Sequence, residues 1–442
     1  MTARTETAPS DLRRSLGTVK GAAVMLNIVL GAGLLILPGL AVRRAGDHAL
    51  IAWGLCALAA LPLLAVFVIL GRRFPDAGGI GHFAARAFGP AMAPAVSFIL
   101  LGAVAIGLPS IALTGGYYAA GAVGGAPHLW AAGLVVAGLL LNLLSAERAA
   151  RVNQAMALVL LVLLGAIAVT GAVLVPPSPA ALPLLPEGGL RAIDWGLALA
   201  PFMMIFFAFT GWEIASNLSE EFSDPRRDFP RAMFLSFAVA VALYLVMAWI
   251  AQTRDLGGRF ETPFAAIMDG RFGAIGGRAV AAVVVVMILA NLAAAIWGVS
   301  RMIFALARDR TLPHGLAGLR QGQPMRAALV LVTVLLAVIA ADAAGLTGVE
   351  TLLAIAGQNF LILYGVAAAA LLRLADGGGI GLWAGRLLAG LSVLLVVALA
   401  LAQGGSLIYP LVLSVLGWLA HRHARRRDIT GGGRAGLRPE NR

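Results

Sequence analysis

The sequence has few charged residues and a single cysteine. Charged residues make up 12% of the 442 positions and hydrophobic residues 60%, a balance that a soluble domain of this size does not need. Cys56 has no second cysteine to pair with, so an internal disulfide is excluded. These shortages predict a chain whose apolar side chains face lipid as well as one another.

The signatures of several other protein classes are also missing. The six histidines fall in loops, at span ends or in tails, so the apolar spans hold no His/Asp/Glu cluster for an intramembrane metalloenzyme. No Gly-x-x-x-x-Gly-Lys-Ser/Thr phosphate loop is present, so ATP does not drive the protein directly. No repeated carbonyl filter or ring of acids indicates a channel. We therefore expect neither enzymatic activity nor a cofactor or metal.

What the sequence does contain is a series of apolar runs of about 20 residues or more, the length needed to cross about 30 Å of hydrocarbon. We predict one all-α integral membrane domain over residues 15–421, after a disordered cytoplasmic N-terminus (1–14) and before a basic disordered cytoplasmic tail (422–442). The twelve predicted spans are 16–43, 49–71, 88–122, 128–147, 151–175, 193–219, 229–252, 275–307, 325–343, 349–374, 380–403 and 405–420.

The net charge of +12 is unevenly distributed about these spans. Of the 33 Lys and Arg residues, seven lie on the side opposite the N-terminus and the other 26 on the N-terminal side. This positive-inside bias predicts a multi-pass protein of the bacterial inner membrane with both termini in the cytoplasm. A nucleic-acid partner needs a folded basic domain, and no polar stretch is long enough to form one. Anionic lipid is the expected partner of the basic tail.

Two spans carry small or polar residues at mid-length, at Gly31-Ala32-Gly33 in span 1 and at Thr210-Gly211-Trp212-Glu213 in span 6. Five spans separate the two interruptions, and a repeat with an odd number of spans must insert its second copy upside down. This predicts a 5+5 inverted repeat, over about 15–175 and 193–374, with helices 11 and 12 added over about 380–421.

In span 1, unwinding at the glycines would expose the N-terminus of a second half-helix running from Leu34 to about Val42. Free N–H groups and the positive end of the helix dipole make such a terminus a site for a carboxylate. Asn27, one turn earlier, is the only strongly polar side chain of the span and is a candidate to line the cavity. The alternative is that the small residues serve close helix packing.

In span 6, unwinding at Phe209-Thr210-Gly211 would leave the carbonyls of Phe207, Ala208 and Phe209 at the negative end of the first half-helix, where they suit an ammonium group. Carbonyls for an amine and a helix N-terminus for a carboxylate together match the zwitterion of an α-amino acid. Phe209 and Trp212 are bulky enough to act as gates, and ordinary packing is the alternative role for Trp212.

Glu213 is the one acid near the middle of an apolar span. A charged group there costs about 2.5–3.5 kcal/mol on insertion scales, so Glu213 should face a cavity and exchange a proton. A neutral structural acid is the alternative. Ser110 and Asn291 are weaker candidates to line the pocket, together with Gln358 and Asn359, because interhelical hydrogen bonds are the commoner use of such residues.

Two longer stretches carry a family resemblance. One comprises FFAFTGWE at 206–213, NLSEEF at 217–222 and DPRRDFPRA at 224–232, and the other is SRMIFALARDRTLP at 300–313. Together with Gly31-Ala32-Gly33 before Pro38, they resemble motifs of the amino acid–polyamine–organocation transporter superfamily over about residues 14–421. Within it the chain most resembles bacterial inner-membrane exporters of methionine and branched-chain amino acids.

The resemblance implies a leucine-transporter-type fold with helices 1 and 6 unwound. It assigns the substrate carboxylate to Gly31, Ala32 and Gly33 and the amine to Phe207, Ala208 and Phe209, and it makes Glu213 a proton-sensitive gate. Two departures matter. Helix 8 lacks the paired hydroxyls of sodium-coupled relatives, and helix 5 begins Arg151-Val152-Asn153-Gln154 without the buried lysine of some proton-coupled ones.

The sequence thus predicts a secondary active transporter that moves small neutral or hydrophobic amino acids by alternating access, as efflux by proton antiport. The expected partners are the amino-acid substrate, membrane lipid and protons, in a monomer or a homodimer. A proton-coupled importer or an amino acid/polyamine exchanger of the same fold is the alternative within the class. A membrane amino-acid sensor that binds without transport is the alternative outside it.

Overall fold

The computed structural model describes residues 16–30, 32–74, 79–142, 162, 164–177, 182–320, 323–374, 380–402 and 408–432. The regular secondary structure of these residues is helical, and the only β contacts within them are isolated bridges between Leu16 and Phe222 and between Arg320 and Gln323. The predicted N-terminal leader (1–14) and residues 151–161 and 163 of predicted span 5 lie outside the described residues.

The α-helices have the following bounds, in chain order: α1 Thr18–Val29, α2 Leu37–Ala45, α3 Ala49–Arg73, α4 Gly79–Phe88, α5 Met92–Val123, α6 Pro127–Leu141, α7 Leu164–Leu174, α8 Trp195–Leu199, α9 Phe202–Phe206, α10 Trp212–Ala215, α11 Asp228–Thr253, α12 Pro263–Phe272, α13 Ala274–Arg308, α14 Met325–Ala343, α15 Val349–Leu374, α16 Ile380–Ala402 and α17 Ile408–Gly432. The last turn of α7 is wound as a π-helix.

Eight helical stretches among the described residues are long and apolar enough to cross a membrane, and α6 and α7 are shorter apolar helices. The eight are Leu37–Arg73, Met92–Val123, Trp195–Ala215, Asp228–Thr253, Ala274–Arg308, Met325–Ala343, Val349–Leu374 and Trp383–Leu401. The protein is therefore a multi-pass helical membrane protein. The full count of twelve spans and the inverted repeat remain predictions.

Helix α5 lies at the centre of the bundle, where it packs against α6, α13, α15 and α17. Glycines allow the closest approaches between helices. A Cβ on Gly357 of α15 would lie 2.1 Å from the carbonyl oxygen of Met203 in α9, and one on Gly39 of α2 would lie 2.1 Å from that of Phe260. Backbones that approach this closely gain dispersion contacts that apolar side chains alone cannot provide in lipid.

Charged side chains join three segments at the end of the bundle where α2 stops. Arg43 pairs with Glu261, which precedes α12, and with Glu350 in the first turn of α15, and Arg44 pairs with Glu350 at 3.3 Å. We call these four residues the ion-pair cluster. They hold α2, the segment before α12 and the start of α15 together.

Two short helices and the C-terminal helix complete the fold. Helix α4 follows predicted span 2, and helix α12 precedes predicted span 8. Helix α4 buries Ile80 and Phe83 against the bundle. Helix α17 continues to Gly432, past residue 422 where the basic tail was predicted to begin, and residues 433–442 lie outside the described residues.

The close contact of α15 with α9 predicts a sharp difference between two glycine substitutions. Gly357→Ala should destabilise the folded protein by about 1–3 kcal/mol, because the new methyl group would meet a backbone carbonyl that cannot move alone. Gly54→Ala in α3 is the matched control, since a Cβ there meets nothing within 4 Å. Thermal unfolding in detergent measures both, and equal stability of the two variants would contradict this packing.

Candidate functional site

The helix corresponding to predicted span 6 is interrupted at its centre. Helix α9 ends at Phe206, a 3-10 turn covers Phe207–Phe209, Thr210 is extended, and α10 begins at Trp212. Gly211 has a φ of 109°, in the left-handed region that glycine adopts readily. A Cβ at Gly211 would also lie 3.3 Å from Cα of Val29. Glycine is therefore required here both by the backbone conformation and by the contact with span 1.

Span 1 is interrupted opposite this point. Helix α1 ends at Val29, a 3-10 turn covers Ala32–Leu35, and α2 begins at Leu37. The second half-helix thus starts as α-helix three residues later than the predicted Leu34. Pro38 in its first turn carries no N–H, which suits the terminus of a helix.

A cavity of about 390 Å³ lies between the two interruptions. Its wall is formed by both broken segments together with α5, α11, α13 and α15, and it is mostly apolar. The lining residues are Ile28, Val29, Gly33, Leu34, Leu100, Ala103, Val104, Gly107, Leu108, Ile111, Phe207, Ala208, Thr210, Gly211, Glu213, Ile214, Tyr244, Asn291, Ala294, Ala295, Gly298, Val299, Met302 and Phe360. A volume in this range suits a small ligand.

Most of the predicted site residues with described side chains meet at this cavity. Those that line it are Gly33, Phe207, Ala208, Thr210, Gly211, Glu213 and Asn291. Gly31 lies outside the described residues, as do the side chains of Asn27 and Ala32. Gln358 and Asn359 are buried in α15 and do not line the cavity.

Three further predicted residues, Ser110, Phe209 and Trp212, do not line the cavity. Ser110 is fully buried, and its hydroxyl donates to the carbonyl of Gly107 at 2.6 Å within α5. Phe209 packs between Trp53 and Tyr244, with ring centroids 6.0 and 5.1 Å away. Trp212 also points away, into a contact with Phe237. The aromatic side chains at the cavity wall are instead Phe207, Phe360 and Tyr244.

The carbonyls at the break in span 6 already have hydroxyl partners. Tyr244 donates to the carbonyl of Ala208 at 2.8 Å and lies 3.3 Å from that of Val29, so one hydroxyl bridges both broken segments. Thr210 donates to the carbonyl of Phe207 at 2.8 Å. The Phe207 carbonyl also accepts the Thr210 N–H at 3.3 Å. A carbonyl oxygen has two lone pairs, so the Ala208 carbonyl can accept a second hydrogen bond from a ligand.

Glu213 connects the break in span 6 to α15. Its Oε2 accepts hydrogen bonds from the Gly211 N–H at 2.9 Å and from the Tyr364 hydroxyl at 2.7 Å. Its Oε1 is buried without a hydrogen-bond partner among the described residues. Because Oε2 accepts two hydrogen bonds and Oε1 accepts none from these residues, Oε1 is the oxygen that can carry a proton.

Tyr244 and Tyr364 are the site residues that sequence analysis missed. A signal was present, because the chain has only five tyrosines and these two lie within apolar spans. A tyrosine hydroxyl in hydrocarbon needs a hydrogen-bond partner, and a broken helix supplies one. Which break each tyrosine serves depends on tertiary contacts between residues far apart in sequence.

Comparison with known proteins places this chain in a family. A family model described as amino acid permease matches residues 16–419. The uncharacterised amino acid permease YecA of Bacillus subtilis is 30% identical over 417 residues, which are 92% of this chain and 95% of that protein. The L-methionine/branched-chain amino acid exporter YjeH of Escherichia coli is 30% identical over 240 residues, 53% of this chain and 55% of that protein. The branched-chain amino acid permease BcaP of Bacillus subtilis is 26% identical over 70% of each chain.

The chain is a helical membrane transporter and not an enzyme. It belongs to the amino acid permease family, within the amino acid–polyamine–organocation superfamily, and the resemblance found in the sequence is confirmed.

The bridging hydroxyl generates a prediction. Tyr244→Phe keeps the ring and removes the hydrogen bonds that orient the Ala208 and Val29 carbonyls, so we expect amino-acid binding to weaken about 3–10-fold, as for loss of one hydrogen bond. Tyr409→Phe is the matched control, since its hydroxyl donates to Gly102 at 3.3 Å away from the cavity. Radioligand binding to purified protein measures both variants. Unchanged or tighter binding by Tyr244→Phe would show that the hydroxyl does not orient the site.

Proposed function

We propose that this permease is a secondary active transporter that carries small neutral and hydrophobic amino acids, such as methionine and the branched-chain amino acids, through the cavity between the two helix interruptions. The observation that carries this proposal is the juxtaposition of two broken backbone segments around a mostly apolar space with one acid at its wall. Backbone groups at mid-depth are tolerated only where they are buried in protein or line such a cavity.

The lining residues support the choice of substrate. Aliphatic side chains of α5 and α13 cover most of the wall, and Glu213 is the only ionisable carboxylic acid among the lining residues. A dibasic amino acid or a polyamine would need more negative charge. The Escherichia coli relative that exports methionine and branched-chain amino acids, and the Bacillus subtilis branched-chain permease, support the same substrates.

In this proposal the backbone holds the zwitterion. Gly31, Ala32 and Gly33 receive the carboxylate at the start of the second half-helix of span 1, with Asn27 nearby. The amine binds the carbonyls of Phe207, Ala208 and Phe209. Thr210, Gly211 and Asn291 complete the wall, and Ser110 and Trp212 support it from behind.

We further propose the topology that alternating access needs. Twelve helices would form a 5+5 inverted repeat plus helices 11 and 12, in the inner membrane with both termini in the cytoplasm, which places the ion-pair cluster on the outer side. The cavity wall on α13 runs from Asn291 to Met302, toward the end of the bundle opposite to the ion-pair cluster. Gly298 and Ile214 are exposed at that end. In this topology the cavity opens toward the cytoplasm, and the ion-pair cluster closes its outer side. The structure then corresponds to an inward-open state.

Glu213 is the proposed proton site, with the proton on Oε1. Inward movement of this proton would drive substrate outward as antiport. Import or exchange of amino acids through the same site is the alternative. The serine/threonine exchanger SteT of Bacillus subtilis, which is 24% identical over 70% of this chain, supports exchange.

Counterflow tests the proposal. Vesicles reconstituted with purified protein and preloaded with unlabelled methionine should accumulate labelled methionine, leucine, isoleucine and valine. They should not accumulate labelled arginine, lysine or putrescine, because the described lining of the cavity has no second acid to pair with the additional positive charge of these ligands. Binding of methionine without any counterflow would favour a sensor over a transporter.

Coupling is tested by Glu213→Gln. The amide keeps the shape of the side chain and cannot exchange a proton, so counterflow should persist while net efflux loses its dependence on an imposed pH gradient. Asp342→Asn is a control acid in α14, outside the cavity lining. A gradient dependence that survives in Glu213→Gln would return Glu213 to a structural role.

A further inference from the structure

A second, smaller cavity of about 110 Å³ lies at the same end of the bundle as the ion-pair cluster. It is enclosed by the last turns of α5, by α12 and by the first turns of α13, and it shares no lining residue with the central cavity. Six of its lining residues are small, which leaves the space open: Gly121, Ala122, Ala265, Ala274, Gly277 and Ala281. The remaining lining residues are polar or charged: Tyr118, Arg259, Thr262, Asp269 and Arg278.

The charges at this cavity do not cancel. Asp269 is fully engaged, because its Oδ2 pairs with Arg259 at 2.7 Å and its Oδ1 accepts the Gly277 N–H at 2.9 Å. Arg278 makes no ion pair or hydrogen bond with any described residue. The lining therefore carries one positive charge in excess, beside the N-terminal turn of the 35-residue helix α13, where the helix dipole is also positive.

A hydroxyl that opens into the cavity adds an independent observation. The Thr262 residue is only 7% exposed and lines the cavity, and its hydroxyl has no hydrogen-bond partner in the described part of the chain. Because the hydroxyl oxygen is not enclosed by protein atoms, it can donate a hydrogen bond to whatever occupies the cavity. Tyr118 offers no donor here, because its hydroxyl already donates to the Leu35 carbonyl at 2.9 Å. The free donors are the Thr262 hydroxyl, Arg278 and the remaining N–H groups of Arg259.

We propose that this cavity binds a compact monovalent anion, a carboxylate group or chloride, between Arg278, Arg259 and Thr262. A water molecule needs roughly 10–15 Å³ of such volume, so about 110 Å³ has room for a carboxylate or a chloride together with several waters of its hydration shell. Arginine and hydroxyl donors suit an anion, and one excess charge suits a monovalent one.

The position of the cavity means that a bound anion would also affect the contact between residues 259–262 and α2. Arg259 and Thr262 face the anion, while two residues between them face α2: the Phe260 carbonyl lies against Gly39, and Glu261 pairs with Arg43. An anion that fixes Arg259 and Thr262 also holds this segment on α2. Under the proposed topology it stabilises the closed outer side, although the binding itself does not depend on the transport function.

Thermal unfolding of the purified full chain in detergent tests the site, in sodium gluconate against sodium chloride and sodium acetate at equal ionic strength. Gluconate is larger than chloride or acetate and serves as the reference anion, because its hydroxylated chain must displace more of the hydration shell to approach the arginine side chains. Wild type should therefore unfold roughly 2 °C or more higher in chloride or acetate, and the difference should saturate as the anion concentration rises. Arg278→Gln and Thr262→Val should lose this shift. Arg271→Gln, an exposed arginine of α12 outside the cavity, should keep it.

The arms of the experiment separate the sources of the anion. A shift with acetate alone identifies a carboxylate site, and a shift with both identifies a general small-anion site. If added methionine removes the difference in unfolding temperature between acetate and gluconate, the carboxylate is that of an amino acid. The proposal is overturned if wild type shows no anion-dependent shift, or if Arg278→Gln and Thr262→Val both respond like wild type. Failed counterflow with an intact shift would overturn only the transport proposal.

Discussion

Every backbone N–H and C=O group in the hydrocarbon region must find a partner inside the protein, and this requirement governs the arrangement around the two broken helices. Between Val29 and Leu37, and between Phe206 and Trp212, the chain gives up continuous helical hydrogen bonding. Unsatisfied groups at that depth would cost several kcal/mol each. The breaks can persist only because other side chains reach them.

Those side chains come from two long, continuous helices. The Tyr244 hydroxyl of α11 contacts one carbonyl in each break, those of Val29 and Ala208. The Tyr364 hydroxyl of α15 donates a hydrogen bond to Glu213. Glu213 in turn accepts the N–H of Gly211, the residue with the left-handed backbone. Rigid helices thus hold the irregular segments in place, which is the arrangement that a preorganised binding site needs. The same contacts leave Glu213 Oε1 without a hydrogen-bond partner in the described part of the chain and leave a second lone pair on the Ala208 carbonyl.

Sequence analysis located the breaks because their cause is local. Glycine beside a polar residue in an apolar run indicates a discontinuous membrane helix, and Gly211 and Glu213 carry that signal without help from the rest of the chain. The tyrosine partners were missed because Tyr244 and Ala208 are 36 residues apart and Tyr364 and Glu213 are 151 apart, and no periodicity connects them. The directions of the Phe209 and Trp212 side chains could not be predicted either, because the periodicity of the helix does not continue across the break.

The glycines at close helix contacts also separate what the sequence predicts from what only packing determines. The sequence marks Gly39 and Gly357 only as residues in apolar helices, and the structure shows that each lies against a carbonyl of another segment. The cavity beside Arg278 depends on three segments that meet at one end of the bundle, none of which carries a recognisable motif. Local chemistry therefore predicts where helices stop, and packing decides what lies beside them.

The central claim is that the two breaks hold both charges of an α-amino acid. The most direct test is equilibrium binding of three ligands with the same side chain to purified protein: L-methionine, its methyl ester, and the analogue without the amino group. If backbone groups bind both ends, each altered ligand should bind at least about tenfold more weakly, a loss of about 1.4 kcal/mol or more. Equal affinity for all three would show that the cavity recognises only the apolar side chain and would contradict the account.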